Sequence, residues 1–189
     1  MDKSLDFKRR REGLIAEIER AFNGVERDDG VSLHQARARD DYATPEQELT
    51  ARKLDVEPQW QEVTQQDILY CCSALSFLDA KGFRYYIPAF MRVALGNFYD
   101  DPNGIRNSCE FHLTQDHPKS LRQSDPAVIS LKYQFSPVQV AAIAKFLRFC
   151  SDFDNIVAEE AFIQSVEKWE KYSQEQLTIQ PSGVKPAGC

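Results

Sequence analysis

The sequence predicts an α+β fold that is mainly helical, with about six helices and a small antiparallel sheet. Several stretches repeat apolar residues at the three- and four-residue spacing of a helix that is buried on one face. Two shorter stretches instead alternate apolar and polar residues, which is the pattern of a half-buried strand. The 189 residues contain no internal repeat, so we expect one globular domain over residues 1–173 and a flexible tail over residues 174–189.

The composition is that of an ordinary soluble protein, with 42% hydrophobic and 28% charged residues. The net charge of −6 argues against nucleic acid, because phosphate binding needs a concentrated basic field, and it suits a basic protein partner. No apolar run is long enough to span a membrane. The charged start of the chain and the five cysteines without a CxxC motif favour a reducing, cytoplasmic setting.

Residues 5–22 are predicted to form an amphipathic helix that ends at Asn23-Gly24. The basic cluster 8–11 at its start has two interpretations: a patch for phosphate or anionic lipid, and a solvated helix face. Acidic residues on the same helix dilute the positive charge, so we favour the solvated face.

Residues 25–57 are polar and are predicted to form a peripheral helical arm. Ser32 is a candidate helix cap, and the capping box at residues 44–47 predicts a second short helix over about residues 45–54. Trp60 is large enough to anchor the arm to the core. The acidic pair Asp40-Asp41 has the oxygen ligands of a cation site, but a solvated helix end explains the pair more simply.

The stretch 70–98 holds the densest run of apolar and aromatic residues. Its helical spacing predicts a helix that begins near Thr64 and stops at residues 79–82, where Gly82 can adopt a positive φ. We expect residues 83–87 to be extended and Pro88 to open a second helix, since proline suits a first helical turn.

The two alternating runs are residues 109–114 and residues 129–135. They are predicted to pair as an antiparallel hairpin with a long connection, and residues 83–87 are candidates for a neighbouring strand. A capping box at residues 136–139 opens a strong helix, and a last helix is expected over about residues 156–172.

Metal and nucleophile chemistry find little support in the sequence. Cys109, His112 and His117 have suitable atoms, but the spacing matches no standard zinc pattern and a strand would place Cys109 and His112 on opposite faces. Cys71 and Cys72 lie among apolar residues, which makes a thiol inert. We therefore expect no metal and no cofactor.

The candidate ligand-binding residues are Asp79, Arg84 and Tyr86, which are polar groups beside the core. Arg84 could clamp an anion in a bidentate manner, and a tyrosine hydroxyl could donate a hydrogen bond to the same anion. The alternative is structural: Asp79 caps the turn or pairs with Arg84. We favour the structural role.

The segment 78–91 resembles the signature of a small bacterial domain family of unknown function. That signature reads Phe-Leu-Asp-x-x-Gly-x-Arg-aromatic-Tyr-aliphatic-Pro-Ala-aromatic-Met. Similar segments lead from Leu33 to Tyr42, from Ala51 to Trp60 and from Ser136 to Leu147, so the resemblance covers about residues 31–150. It implies a bacterial cytosolic protein and carries over no activity.

Two classes of function follow. The first is a non-enzymatic interaction protein, for example an immunity or regulatory partner, whose acidic surface meets a basic protein. The second is a small enzyme or ligand-binding domain with an anion site around Asp79, Arg84 and Tyr86. The acidic balance and the absence of a catalytic motif favour the first class. The oligomeric state is not predicted.

Overall fold

The computed structural model describes residues 3–101, 103–115, 125–153 and 159–179. These ranges contain α-helices, two short 3-10 helices and no strand. The α-helices are α1 Lys3–Ala21, α2 Leu33–Asp40, α3 Pro45–Arg52, α4 Gln65–Tyr70, α5 Ala80–Gly96, α6 Ile105–Thr114, α7 Pro126–Tyr133, α8 Pro137–Phe153 and α9 Glu160–Ile179. The 3-10 helices are Trp60–Glu62 and Ala74–Ser76.

The predicted α+β class is wrong, because both alternating segments are helical. In α6 the buried apolar residues are Ile105, Cys109 and Leu113, which recur every four residues. In α7 the buried positions Pro126, Ile129 and Tyr133 also follow helical spacing. Alternation over six or seven residues also fits a helix, so these runs were too short to decide between the two periods.

Helix-start signals at both segments outweigh the alternation. The carboxylate of Asp101 accepts hydrogen bonds from the backbone amides of Ile105 and Arg106, at 2.9 and 2.8 Å, and so anchors the start of α6. Asp125 caps α7 by accepting from the amide of Ala127, at 2.8 Å, and Pro126 occupies the first helical position. A capping carboxylate followed by proline is a strong helix-start signal.

The central helix is α5, which packs against α1, α4, α6 and α7. Twelve of its seventeen residues are buried, so the helix is enclosed on nearly every side. The predicted extended segment 83–87 is helical, and Pro88 lies inside the helix rather than at its start. Burial against four neighbouring helices offsets the cost of this interior proline.

The other core helix is α8, which packs against α1 on one side and α9 on the other. The predicted capping box is present at its start: the Ser136 amide donates to the Gln139 side chain at 2.9 Å, and Ser136 accepts from the Gln139 amide at 3.4 Å. The last helix, α9, extends to Ile179, beyond the predicted end near residue 172. The tail from residue 180 lies outside the described residues, and the domain boundaries stay a prediction.

The arm over residues 25–57 contains α2 and α3, whose N-caps are the predicted residues Ser32 and Thr44. The capping box at Thr44 and Gln47 is present, and α3 has no buried residue. Trp60 follows the arm and is fully buried, and its indole nitrogen donates to the Phe22 carbonyl at 2.9 Å. Trp60 thus fastens the end of the arm to the end of α1.

Candidate functional site

Asp79 is the N-cap of α5. Its Oδ1 atom accepts a hydrogen bond from the amide of Gly82, at 2.8 Å, and a second from the amide of Val31, at 3.0 Å. The first bond satisfies an otherwise unpaired amide at the helix start, and the second ties that start to the loop before α2. Of the two structural roles considered for Asp79, the structure therefore shows the cap.

Glycine is needed beside this cap for a reason that differs from the expected positive φ. Gly82 is helical, and a Cβ atom there would lie 2.3 Å from the carbonyl oxygen of Val31. Gly30, across the contact, has no more room, since its Cβ would lie 2.7 Å from the amide nitrogen of Gly82. The two glycines let the first turn of α5 touch the arm backbone directly.

Tyr86, which is buried, lies at the centre of a partly buried polar junction, which we define as Arg27, Asp55, Glu57 and Tyr86. The Tyr86 hydroxyl accepts from Arg27 Nη1 at 2.6 Å and donates to Glu57 Oε1 at 2.9 Å. Arg27 also donates to the Asp55 carbonyl at 3.1 Å. The junction joins the arm to the central helix through side chains far apart in the sequence.

Burial sets the electrostatics of the junction. Burial raises the pKa of Tyr86 well above its ordinary value, and it raises the pKa of Glu57 as well. The neighbouring Tyr85, which donates to the Glu57 carbonyl at 3.2 Å, has its pKa raised to about 12 by burial. Both tyrosines therefore stay neutral and act as fixed hydrogen-bond donors rather than as acids, Tyr86 to the carboxylate of Glu57 and Tyr85 to its backbone carbonyl.

The arm side of the junction continues to His34. Its Nδ1 atom lies 2.7 Å from Asp55 Oδ1, and its backbone amide donates to Asp55 Oδ2 at 3.0 Å. Asp55 is buried, and a single residue of α2 provides a partner for each of its two carboxylate oxygens. Nearby Cys71 is fully buried, and burial raises its pKa to about 12, which makes its thiol a poor nucleophile.

Arg84 points away from this junction. Residues 84 and 86 are two positions apart in one helix, which places their side chains on roughly opposite faces.

Arg84 Nη1 donates to the Gln134 carbonyl at 3.4 Å, and its shielded Nε atom has no partner among the described residues. It lines a cleft of about 350 Å³ together with Asp28 and Ser136. The structure therefore does not bring Asp79, Arg84 and Tyr86 into one site, and their role in ligand binding stays a prediction.

The residues weighed for a metal site occupy α6 rather than a strand. Cys109 is buried, which raises the pKa of its thiol. His112 Nδ1 donates to the Ser108 carbonyl at 2.9 Å, and its Nε2 lies 3.2 Å from the Ser76 hydroxyl. His117 lies outside the described residues. Within the described ranges, no three His, Cys, Asp or Glu side chains come together as metal ligands, and no helix combines the length and apolar content needed to cross a membrane.

The partners of Tyr86 could not be foreseen from the sequence. Arg27 lies 59 residues away and Glu57 lies 29 residues away. The available signal was the arm itself, whose many charged residues have few apolar neighbours along the chain. Such a segment needs polar contacts to hold it against a core.

Over its described residues this is an all-helical protein in which polar side chains, some of them buried, join the segment 25–57 to a central helix. Residues 10–175 match a family model described as a family of unknown function (DUF6714), and the chain belongs to that family. The expectation of a family of unknown function is thus confirmed. Comparison with curated proteins and with solved structures finds no match.

Proposed function

We propose that the chain is a non-enzymatic protein-interaction domain whose acidic segment, defined as residues 25–70, docks a basic protein partner. The observation that carries the proposal is the distribution of charge. The acidic segment holds eleven Asp and Glu residues against five Lys and Arg residues. The rest of the chain holds eighteen of each, so the whole net charge of −6 arises in this segment.

Large apolar side chains are exposed on the same segment. Tyr42 is 96% exposed, Val56 83% and Tyr70 58%, and Leu49 and Leu54 are exposed as well. Tyr42 also has a φ of 57°, an unfavourable conformation for a bulky residue. Exposed aromatic and aliphatic groups within an acidic surface are suitable anchors for a partner, with the charges forming the rim of the interface.

One arginine of this chain, Arg37, already contacts the surface through the kinds of interaction that we expect from a basic partner. Arg37 lies over the ring of Tyr70, with 4.7 Å between its Cζ atom and the ring centre, and its Nε donates to Asp41 at 3.0 Å. An aromatic face beside a carboxylate is a favourable setting for arginine. A partner's basic side chains would meet the same two kinds of group here.

The acidic segment is held in place before any partner arrives. Glu48 accepts from Arg39 at 2.8 Å, which links α3 to α2. Asp40 accepts from Ser73 at 2.6 Å, and the Gly30 carbonyl accepts from Arg52 at 2.6 Å. A preorganised surface loses little conformational entropy on binding. Its charge speeds encounter with a basic partner and makes the rate sensitive to salt.

Site-specific photo-crosslinking tests this proposal. A crosslinking amino acid that replaces Tyr42 is compared with the same crosslinking amino acid in place of Leu131, a residue of α7 that is 80% exposed. In a lysate of the source organism we expect position 42 to capture a basic protein that position 131 does not. Capture should fall with added salt and in the double variant Asp41→Asn/Glu46→Gln. The same proteins captured from both positions, with no salt dependence, would contradict the proposal.

A second candidate function is an anion site at Arg84. The specific observation in its favour is that Arg84 lines the 350 Å³ cleft with a guanidinium that makes one long bond to a backbone carbonyl. Glu26 and Asp28 line the same cleft and oppose a simple anion. Titration calorimetry with inorganic phosphate tests it: heat that disappears in Arg84→Gln supports the site, and no heat in the parent protein excludes it.

A further inference from the structure

A groove runs between α1, α8 and α9, where α8 forms the floor and the other two helices form the walls. Its main part encloses about 710 Å³, and a second part of about 340 Å³ adjoins it through Glu17, Ala141, Lys145 and Leu177. Each helix lines the groove with one stripe of residues, spaced by three, four and seven positions. The groove therefore has the form that receives a further helix.

Gly13 lies in the wall of this groove, in the middle of α1. A Cβ atom added to Gly13 would meet nothing within 4 Å, so no contact with the part of the chain that the structure describes requires glycine there. Glycine inside a helix is less favourable than alanine. Ala141 and Ala144 of α8 also line the groove with small side chains. Together these residues leave room for the backbone of an added helix to approach closely.

The charged residues on the same stripe of α1 form a self-complementary pattern, in which acidic and basic residues alternate about Gly13. Counted from Gly13, Arg10 lies three residues before and Glu17 four residues after, with opposite charges. Asp6 lies seven residues before and Arg20 seven residues after, again with opposite charges. Two copies of α1 that cross in antiparallel fashion at Gly13 would place Asp6 of one copy opposite Arg20 of the other. Arg10 of one copy would lie within one residue of the position opposite Glu17 of the other, so acidic residues meet basic ones on both sides of the crossing.

We propose that the groove binds a second copy of this chain, in a two-fold dimer whose α1 helices cross at Gly13. In a two-fold interface the same surface serves both copies, which is the arrangement that a self-complementary stripe allows. Within one copy Arg10 already pairs with Asp152 at 2.5 Å, and Glu17 pairs with Lys145 at 2.5 Å. Placing Arg10 beside Glu17 of the second copy extends these pairs into a row of alternating charge.

Light scattering coupled to size-exclusion chromatography tests the dimer over a wide range of protein concentration. We expect the parent protein to have twice the mass of one chain and to dissociate on dilution. Gly13→Gln should have the mass of one chain at every concentration, because its side chain fills the crossing point. Its melting temperature in dilute solution should be unchanged or higher, since the Cβ atom has open space and glutamine favours a helix more than glycine does.

Gly96→Gln is the matched control, because a Cβ atom at Gly96, the last residue of α5, also meets nothing within 4 Å. Gly96 does not line the groove, so this variant should remain dimeric. A parent protein that has the mass of one chain at all concentrations overturns the proposal. A Gly13→Gln variant that dimerises as well as the parent overturns it equally.

Discussion

The first turn of α5 touches the arm so closely that a Cβ atom on Gly82 would lie 2.3 Å from the carbonyl oxygen of Val31. The obstacle is backbone on a segment that is itself fixed, because the Val31 amide donates to Asp79 at 3.0 Å. A side chain at position 82 would therefore have to push the arm away from the central helix.

Gly82→Ala is expected to lower the free energy of unfolding by about 1–3 kcal/mol, because the added methyl group overpacks a rigid contact. Gly96→Ala is the control, since its Cβ has open space; alanine there should raise the stability by about 0.5–1 kcal/mol. Urea unfolding followed by circular dichroism measures both. Equal effects at the two positions would show that the contact with Val31 is not rigid.

Tyr86→Phe is expected to lower the free energy of unfolding by about 1–3 kcal/mol, because it leaves the partly buried Arg27 and Glu57 without the hydroxyl that they share. Tyr99→Phe is the matched control, since Tyr99 is exposed and should tolerate the change. Thermal and urea unfolding report the difference. Unchanged stability in Tyr86→Phe would mean that Arg27 and Glu57 pair well enough without the tyrosine.

The pair Arg148–Glu170 gives a prediction for pH. Arg148 donates to both carboxylate oxygens of Glu170, at 2.8 and 2.6 Å, and these bonds lower the pKa of Glu170. A carboxyl group with a lowered pKa in the folded state adds stability above its unfolded pKa. That stability is lost as the pH falls through the folded pKa.

Glu170→Gln should therefore cost about 0.2–1 kcal/mol at neutral pH, a range suited to a pair that is partly exposed to solvent. The cost should shrink as the pH falls from neutral to about 3, because the carboxyl group is protonated first in the unfolded state and then, below its lowered folded pKa, in the folded state. Urea unfolding of the parent and variant at both pH values measures it, with the exposed Glu175→Gln as control. A cost that stays constant with pH would assign the effect to packing instead.

Much of the helical content could be predicted from local sequence signals. The capping boxes at Thr44 and Ser136 open α3 and α8, and the apolar stripe of residues 5–22 forms α1. Each of these signals depends on residues that are close together in the chain, so it can be recognised without knowledge of the tertiary structure. The error in fold class lies in two segments whose apolar patterns are short. There the carboxylates of Asp101 and Asp125, which accept hydrogen bonds from the first helical amides, favour a helix over a strand.

The candidate site could be predicted only in part. Polar residues beside the core were recognisable as unusual, and Asp79 was predicted to cap a turn or to pair with Arg84. The structure shows that it caps the start of a helix, which the predicted extended segment 83–87 did not allow. The contacts that decide what Tyr86 does come from Arg27 and Glu57, which reach it only after the arm has packed. Arg84 and Tyr86 lie on opposite faces because the segment that holds them is helical. The extended segment predicted from the sequence would have placed both side chains on the same face.

The double use of the Asp79 carboxylate has a consequence for the order of folding. One oxygen atom serves an amide three residues ahead and an amide 48 residues behind, so a local event and a long-range event share an acceptor. The central helix therefore gains its full starting stability only when the arm is docked. A fragment that begins after the arm would lose the Val31 donor, and it would also lose the Phe22 carbonyl that holds Trp60. The peripheral arm is thus part of the cooperative unit, and shortening the chain to its apolar centre would not isolate a stable core.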